Sequence, residues 1–472
     1  MTETGKAAQH TIPIPDNVLC VMKKLRDRGY ESFVVGGCVR DALLGKTPKD
    51  YDITTNALPK QVKTIFEQNG YRVIETGLRH GTVTVLSDGI PVEVTTYRID
   101  GAYSDGRHPD SVTFSDGIAD DLSRRDFTIN AMAYSPDAGF VDLFGGAEDL
   151  ENTLIRCVGN PQKRFEEDAL RILRALRFSS VLGFSIAPET ADQIHRQKHL
   201  LEHLAKERIT TELFGLLCGQ NASAVLREYQ DIIAEILPPI APMFGFAQHN
   251  PHHDADVWEH TLRVVDAVPP DDIVLRLAAL LHDVGKPHCF TADADGVGHF
   301  YGHPEIGGDI CELIFARYLR TDKKTAARVT LLVRSHDEPL LPPSRRILHR
   351  RLTKYGEEVL RQLFMLRRAD VMGHAPAYRS QLDELNESER IFHTLIQENA
   401  CMRIGDLALN GRDLQNMGAA PGPPIGALLR ALLSEVCDGV TPNTPDALRA
   451  RAAQLISRLT TGQQTAAKDG SQ

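Results

Sequence analysis

The residues best suited to chemistry crowd into FVVGGCVRDALLGKTPKDYDITT, Phe33 to Thr55. A short apolar run meets Gly36-Gly37 and then a helical stretch, CVRDALLG. Two glycines let backbone N–H groups approach phosphate, and a helix N-terminus favours an anion there. Arg40 sits in the first turn of that helix, where its guanidinium can reach a triphosphate. Asp50-Tyr51-Asp52 follows. In one extended strand both carboxylates would point to one face and could share a divalent ion. Hard oxygen ligands beside phosphates suit Mg²⁺, and a two-metal arrangement would activate an attacking hydroxyl and stabilise a departing pyrophosphate. Glu93, in PVEVTTY, offers a third carboxylate from a neighbouring strand. Gly-Gly after a strand is commonly just a turn, and Asp-x-Asp a common strand end. Their order within about twenty residues is what points to phosphoryl chemistry.

Further along, Arg124, Arg125, Asp126 and Asn130 lie together in RRDFTIN. Guanidinium forks match phosphate oxygens and a carboxylate accepts from a ribose hydroxyl, although an intrastrand ion pair would use the same residues. In EDALR, Asp168 and Arg171 stand three apart, on one face if the segment is a single helix. A carboxylate accepts from an exocyclic amine, and a guanidinium donates to ring nitrogens or carbonyl oxygens. Cytosine and adenine offer an amine beside an acceptor, whereas uracil and guanine present a carbonyl oxygen in that place. Such a pair could select C and A without a nucleic-acid template. A plain helical salt bridge is the competing reading of the two residues alone.

A second constellation runs His260, His282-Asp283, His303, His336 and Asp370, in the order H…HD…H…H…D. Imidazole and carboxylate in this order can bind one or two divalent transition ions that activate water against a phosphoester. WEHT places His260 at the start of one helix, and LAALLHDVGKP places the doublet on another.

These residues need about three or four structural units to hold them, because 472 residues exceed one core. The first 150 residues mix strand-like runs (Phe33–Val35, Thr82–Leu86, Pro91–Thr96) with amphipathic helices, an α+β pattern. Helical periodicity dominates from Phe165 onward, with a break at Leu237-Pro238-Pro239 and another at PGPPIG, Pro421–Gly426. The division expected is 1–150, 151–240, 241–375 and 376–472. Hydrophobic and charged contents of 42% and 25% are those of a soluble globular chain. No apolar run is long enough to span a membrane, MTETGKAAQH lacks a secretory layout, and eight dispersed cysteines contain no C-x-x-C. A reduced, cytoplasmic protein with neither a disulfide framework nor a zinc knuckle is expected. A formal net charge of −10 weighs against nucleic acid as a partner, unless a local patch such as SRRILHRRLTK, Ser344–Lys354, supplies the cations.

In combination, GGCVRDALLG…DYD, DGRHP (Asp105–Pro109), DLSRRDFTINAMA, DLFGGAEDL and RFEEDALRILRALRF resemble the ordered motifs of bacterial class II CCA-adding tRNA nucleotidyltransferases. The match runs almost unbroken from Phe33 to Gly183 and resumes in KERITTELFGLL and in LALNGRDL…PGPPIGALLRALLSEV. The resemblance implies an α+β head with a polymerase-β-like sheet, followed by a mostly helical neck, HD domain and tail. It implies tRNA, CTP and ATP as partners. Asp50 and Asp52 would hold Mg²⁺, with Glu93 as a further catalytic carboxylate. Gly36, Gly37, Arg40, Arg124, Arg125, Asp126, Asn130 and Arg174 would bind the nucleotide, and Asp168 with Arg171 would select its base. DLFGGAEDL would be a hinge between C and A addition, and YRIDGAYSDGRHP the flexible loop of full CCA addition. Asp100 stands where the family commonly has Glu. The histidine-rich block is similar to the HD phosphohydrolase superfamily, which implies phosphatase, 2′-nucleotidase or cyclic phosphodiesterase action on damaged tRNA ends. Poly(A) polymerase, an A-adding specialist and a plain phosphohydrolase are the alternatives.

Overall fold

The computed structural model describes residues 11–78, 81–101, 112–398 and 403–469, without side chains for Thr76, Asp100 and 459–469. DGRHP therefore lies outside the described residues. The chain divides into two compact units. One comprises Met1–Pro238 with Arg317–Thr321, the other Pro239–Ala316 with Asp322–Gln472.

In the first unit the strands are β1 Phe33–Val35, β2 Asp52–Thr55, β3 Arg72–Gly77, β4 Thr82–Ser87, β5 Ile90–Thr96, β6 Arg98–Asp100, β7 Val112–Phe114, β8 Met132–Ser135 and β9 Gly139–Asp142. Seven of them form one sheet in the order β3-β4-β5-β2-β1-β8-β9. Only β2 and β5 pair in parallel, and that register sets Asp52 beside Glu93. Along β1, Phe33, Val34 and Val35 are all buried, as a central strand covered on both faces requires. Val35 lies opposite Asp52, so the strand that leads into Gly36 also supports the acidic strand.

Three expectations about local structure change. Asp50 is not on a strand with Asp52: β2 begins at Asp52, and Asp50 belongs to the preceding loop. The EDALR segment is not one helix. Pro161–Glu167 ends at Asp168, whose φ −146° and ψ 101° are extended, and a new helix runs Leu170–Leu182. The Asp168 carboxylate accepts from the Leu170 N–H at 3.1 Å, the local bond with which aspartate competes against a continuing helix. Helix Ile273–Leu281 stops before the His282-Asp283 doublet, which follows its last turn.

In the second unit, the helices that carry the histidine-rich block include several whose starts are capped by side chains. Asp256 accepts from the Glu259 N–H ahead of His260, and Asp272 and Asp322 cap the helices that deliver His282 and His336. Helix Arg345–Gly373, which carries Asp370, is interrupted at Gly356 with φ 75°. Gly422, with φ 99°, leads from the PGPPIG break into helix Pro423–Cys437. A separate apolar cluster, including Leu414, Leu428, Leu432 and Leu448, closes the C-terminal part. Among the described residues no helix is long and apolar enough to cross a membrane.

Candidate active site and metal centre

The first site forms where β1, β2, β5 and the RRD turn converge. Gly36 has φ 81°, and a Cβ there would lie 2.9 Å from Arg125 Nη1, so glycine at this point makes room for the guanidinium. Desolvation and the neighbouring Asp50 raise the Asp52 carboxyl while Arg125 lowers it, with the upward effects prevailing. Glu93 is raised by desolvation, then by Asp52 and Asp50. Asp52 and Glu93, raised in this way with the Asp50 carboxylate beside them, fit a cation, since its charge removes their repulsion. They are not drawn as tight as the histidine groups. Among the described residues, every set of three ligand atoms within 4.8 Å of one another lies in the histidine-rich block.

Arg124 and Arg125 both turn to Asp121, at 2.6 and 3.2 Å. Asp121 is wholly buried and was not singled out from the sequence. Asp126 accepts from Arg174 Nε at 2.8 Å, from Asn130 Nδ2 at 3.1 Å and from the Phe127 N–H at 2.8 Å. Burial alone would raise its carboxyl, but Arg174 and these donors hold it down at about 2. Arg40 donates to Asn130 Oδ1 at 2.7 Å and to Asp41 at 2.9 Å. Arg40, Arg174 and Arg177 gather round the Phe178 ring at 5.2, 5.3 and 4.5 Å. Each of the three is also paired with an acid, Asp41, Asp126 and Glu212, so the cluster places cations locally without an unpaired excess of charge.

Asp168 and Arg171 are brought to the same place through other partners. Asp168 pairs with Arg208 at 2.8 Å. Arg171 pairs with Glu167 at 2.7 Å and donates to the carbonyls of Arg164 and Arg124 at 3.1 and 2.9 Å. The last bond ties the helix after Asp168 to the RRD turn. Arg208 and Glu212, which pairs with Arg177 at 2.6 Å, were missed. Their spacing of four in KERITTEL is the signal that could have found them. In DLFGGAEDL, Asp142 accepts from the Gly146 and Ala147 N–H groups, and a Cβ on Gly146 would come within 2.3 Å of the Thr128 carbonyl.

All six residues expected of the metal centre meet in the second unit. His260, His282 and Asp370 form one group and Asp283, His303 and His336 another, each with ligand atoms within 4.8 Å. Nδ1 of His282, His303 and His336 lies 2.8, 2.8 and 2.7 Å from the carbonyl three residues earlier, at Ala279, Phe300 and Val333. A carbonyl cannot donate, so each Nδ1 carries a proton and each Nε2 is left for the site. Yet His303 and His336 Nε2 face each other at 3.1 Å, and His260 and His282 Nε2 at 3.3 Å. Burial and the adjacent histidines push His336 down to about 4, which keeps it neutral. Imidazole nitrogens opposed at these distances beside carboxylates fit divalent cations, and two groups of ligands fit two of them. His253 and His374 were missed. They cluster with His260, and His374 Nε2 lies 3.4 Å from Asp370. Lys286, 2.7 Å from Asp283, and Arg367, 2.8 Å from Asp370, complete a cavity of about 430 Å³.

The basic run Ser344–Lys354 is not a free patch. Arg346 and Arg350 pair with Asp438, Arg351 and Lys354 with Glu338, and Arg345 with Glu398. These three acids, of which Glu398 and Asp438 are distant in sequence, offset the charge of the five cations in part.

Residues 32–156 match the family described as Poly A polymerase head domain, and 183–243 match "Probable RNA and SrmB- binding site of polymerase A". Residues 252–375 match the HD domain and 315–452 the tRNA nucleotidyltransferase domain 2. A CCA-adding enzyme of Levilactobacillus brevis is 34% identical over 430 residues, 91% of this chain and 95% of that one. One from Oceanobacillus iheyensis is 48% identical over 219 residues, 46% of this chain and 54% of that one. The crystal structure of the Bacillus stearothermophilus CCA-adding enzyme in complex with CTP superimposes with a TM-score of 0.70. Its identity is 29%, with 96% of this chain and all of that one covered. The Thermotoga maritima enzyme complexed with tRNA shares the fold at a TM-score of 0.61 and 20% identity, over 94% and 96% of the two chains. With a relative 34% identical over 95% of its own length, the chain belongs to the family of CCA-adding enzymes, tRNA nucleotidyltransferases.

Proposed function

We propose that the first unit adds C, C and A to the 3′ end of tRNA, using CTP and ATP and no nucleic-acid template. The observation that carries this reading is the meeting of Asp168 and Arg171 with the RRD turn beside Asp52. It puts base-reading groups next to phosphate-reading groups. Arg124, Arg125 and Arg40 bind triphosphate oxygens, and Asp126 with Asn130 receives the ribose. Asp168 accepts from the amine of cytosine or adenine while Arg171 donates to the adjacent ring acceptor. Mg²⁺, held by Asp50 and Asp52 with Glu93 nearby, would lower the barrier to attack by the tRNA 3′-hydroxyl and neutralise the departing pyrophosphate. A tRNA ending at the discriminator base, given CTP and ATP, should become three nucleotides longer and stop. Long A tails would favour poly(A) polymerase, and growth only from a CC end would favour an A-adding specialist.

The second unit is a metal-dependent phosphohydrolase in the same reading. His260, His282 and Asp370 would hold one transition ion, and Asp283, His303 and His336 another. Such ions supply a hydroxide at neutral pH. Lys286 and Arg367 bring positive charge to the phosphate. Removal of phosphate from a damaged end would restore the hydroxyl that the first unit needs. A tRNA carrying a 2′,3′-cyclic phosphate should be opened by the wild type and left intact by a His282→Ala/Asp283→Ala double variant. Equal, poor processing by both would remove this second activity.

A further inference from the structure

Tyr301 is 77% exposed, more than any other large hydrophobic side chain among the described residues. It stands at the cavity of the metal centre, which it lines together with His299, Asn250, Gln381, Lys286 and Arg367. Its ring is stacked on His299 at 5.4 Å and 11°. His299 is fixed in turn, with Nε2 3.0 Å from Asp293 Oδ2, and it ends the short strand Gly298–His299 paired with Thr291–Ala292. The Tyr301 ring is thus braced from behind while most of its surface stays open to solvent. An aromatic ring held in place before binding loses little freedom when a planar ligand covers it.

The metal groups and the two cations need only a phosphate, and a cavity of about 430 Å³ holds far more than one phosphate. Gln381, whose Oε1 has no hydrogen-bond partner among the described residues, offers an amide suited to a sugar hydroxyl. We infer that Tyr301, supported by His299, is a stacking platform for the nucleobase of a ribonucleotide end bound in this cavity. This rests on the phosphohydrolase reading of the second unit. In the reaction, water adds its oxygen to phosphorus, the bond from phosphorus to the ribose oxygen breaks, and that oxygen takes up a proton. Tyr301 touches the base and not the reacting atoms, so it sets specificity through binding.

The test uses the full-length, metal-loaded protein with adenosine 2′-monophosphate and glycerol 2-phosphate as substrates. In Tyr301→Ala the KM for the nucleotide should rise about tenfold with kcat nearly unchanged, the loss expected of one base–aromatic stack. Glycerol 2-phosphate kinetics should not move, and Tyr301→Trp should restore the nucleotide KM. If Tyr301→Ala leaves the ratio of kcat/KM between the two substrates unchanged, the platform is refuted. If the wild type hydrolyses neither, the phosphohydrolase reading falls and equilibrium dialysis with adenosine 2′-monophosphate decides the platform alone. Weaker binding by Tyr301→Ala than by wild type then supports it, and equal binding overturns it. Nucleotide affinity of the first unit is common to both proteins and cancels.

Discussion

The side chains of Asp168 and Arg171 are held by different partners, Arg208 at 2.8 Å and Glu167 at 2.7 Å. Each is thereby fixed in orientation without consuming the other, which a direct salt bridge would do. Asp168→Ala should leave CTP use measurable but let UTP in. The ratio of kcat/KM for CTP over UTP should fall by roughly 100-fold or more, because an aligned acceptor is what rejects a carbonyl oxygen. Arg208→Ala frees the carboxylate without removing it, and the ratio should fall by a smaller factor. Equal ratios in wild type and Asp168→Ala would show that the base is read elsewhere.

Acid stability follows from Asp126. Its carboxyl titrates at about 2 in the folded chain against an ordinary 3.8. A depressed carboxylate stabilises the fold above its unfolded value and loses that contribution as pH falls from 3.8 towards 2. The difference amounts to about 2 kcal/mol. Urea unfolding of the wild type should weaken over that interval more steeply than unfolding of Asp126→Asn. Parallel pH profiles would contradict the assignment.

Gly36→Ala tests the approach of Arg125. The substitution places a side chain at φ 81° and a Cβ 2.9 Å from Nη1. Strain of about 1–2 kcal/mol should lower Tm by a few degrees. Displacement of Arg125 should raise the KM for CTP and ATP more than tRNA affinity changes. An unaltered KM would mean that the guanidinium does not serve the triphosphate.

The metal centre separates from the first site by composition. A His303→Ala/His336→Ala variant keeps only Asp283 of its ligand group, and the affinity for one transition ion should drop by more than about 100-fold. Elemental analysis after dialysis should show one ion fewer than in wild type, with CCA addition in Mg²⁺ unchanged. Equal metal contents would remove this group as a binding site.

What was legible in the sequence follows the range of the interactions. Gly36-Gly37, Asp52 and the RRD turn lie in contiguous segments whose backbone demands are local, and the parallel pairing of Asp52 with Glu93 matched two apolar strand patterns. The order H…HD…H…H…D survives because each histidine sits near a helix end on a predictable amphipathic element. Asp121, Phe178, His253 and His374 were not legible. Each acquires its role from a neighbour supplied by the fold, as when Phe178 meets Arg40 and His374 meets Asp370. The acids that pair with the basic run Ser344–Lys354 were likewise not legible, since Asp438 and Glu398 are brought to it by the fold. The break at Asp168 was hidden because helical periodicity continues through it on both sides.

The central claim is tested most directly by offering a tRNA that ends at its discriminator base to the wild type with all four nucleoside triphosphates and Mg²⁺. The product mass should equal addition of C, C and A and nothing more, and Asp52→Ala should yield no product. Incorporation of U or G, continued A tails, or extension that survives in Asp52→Ala would contradict the account.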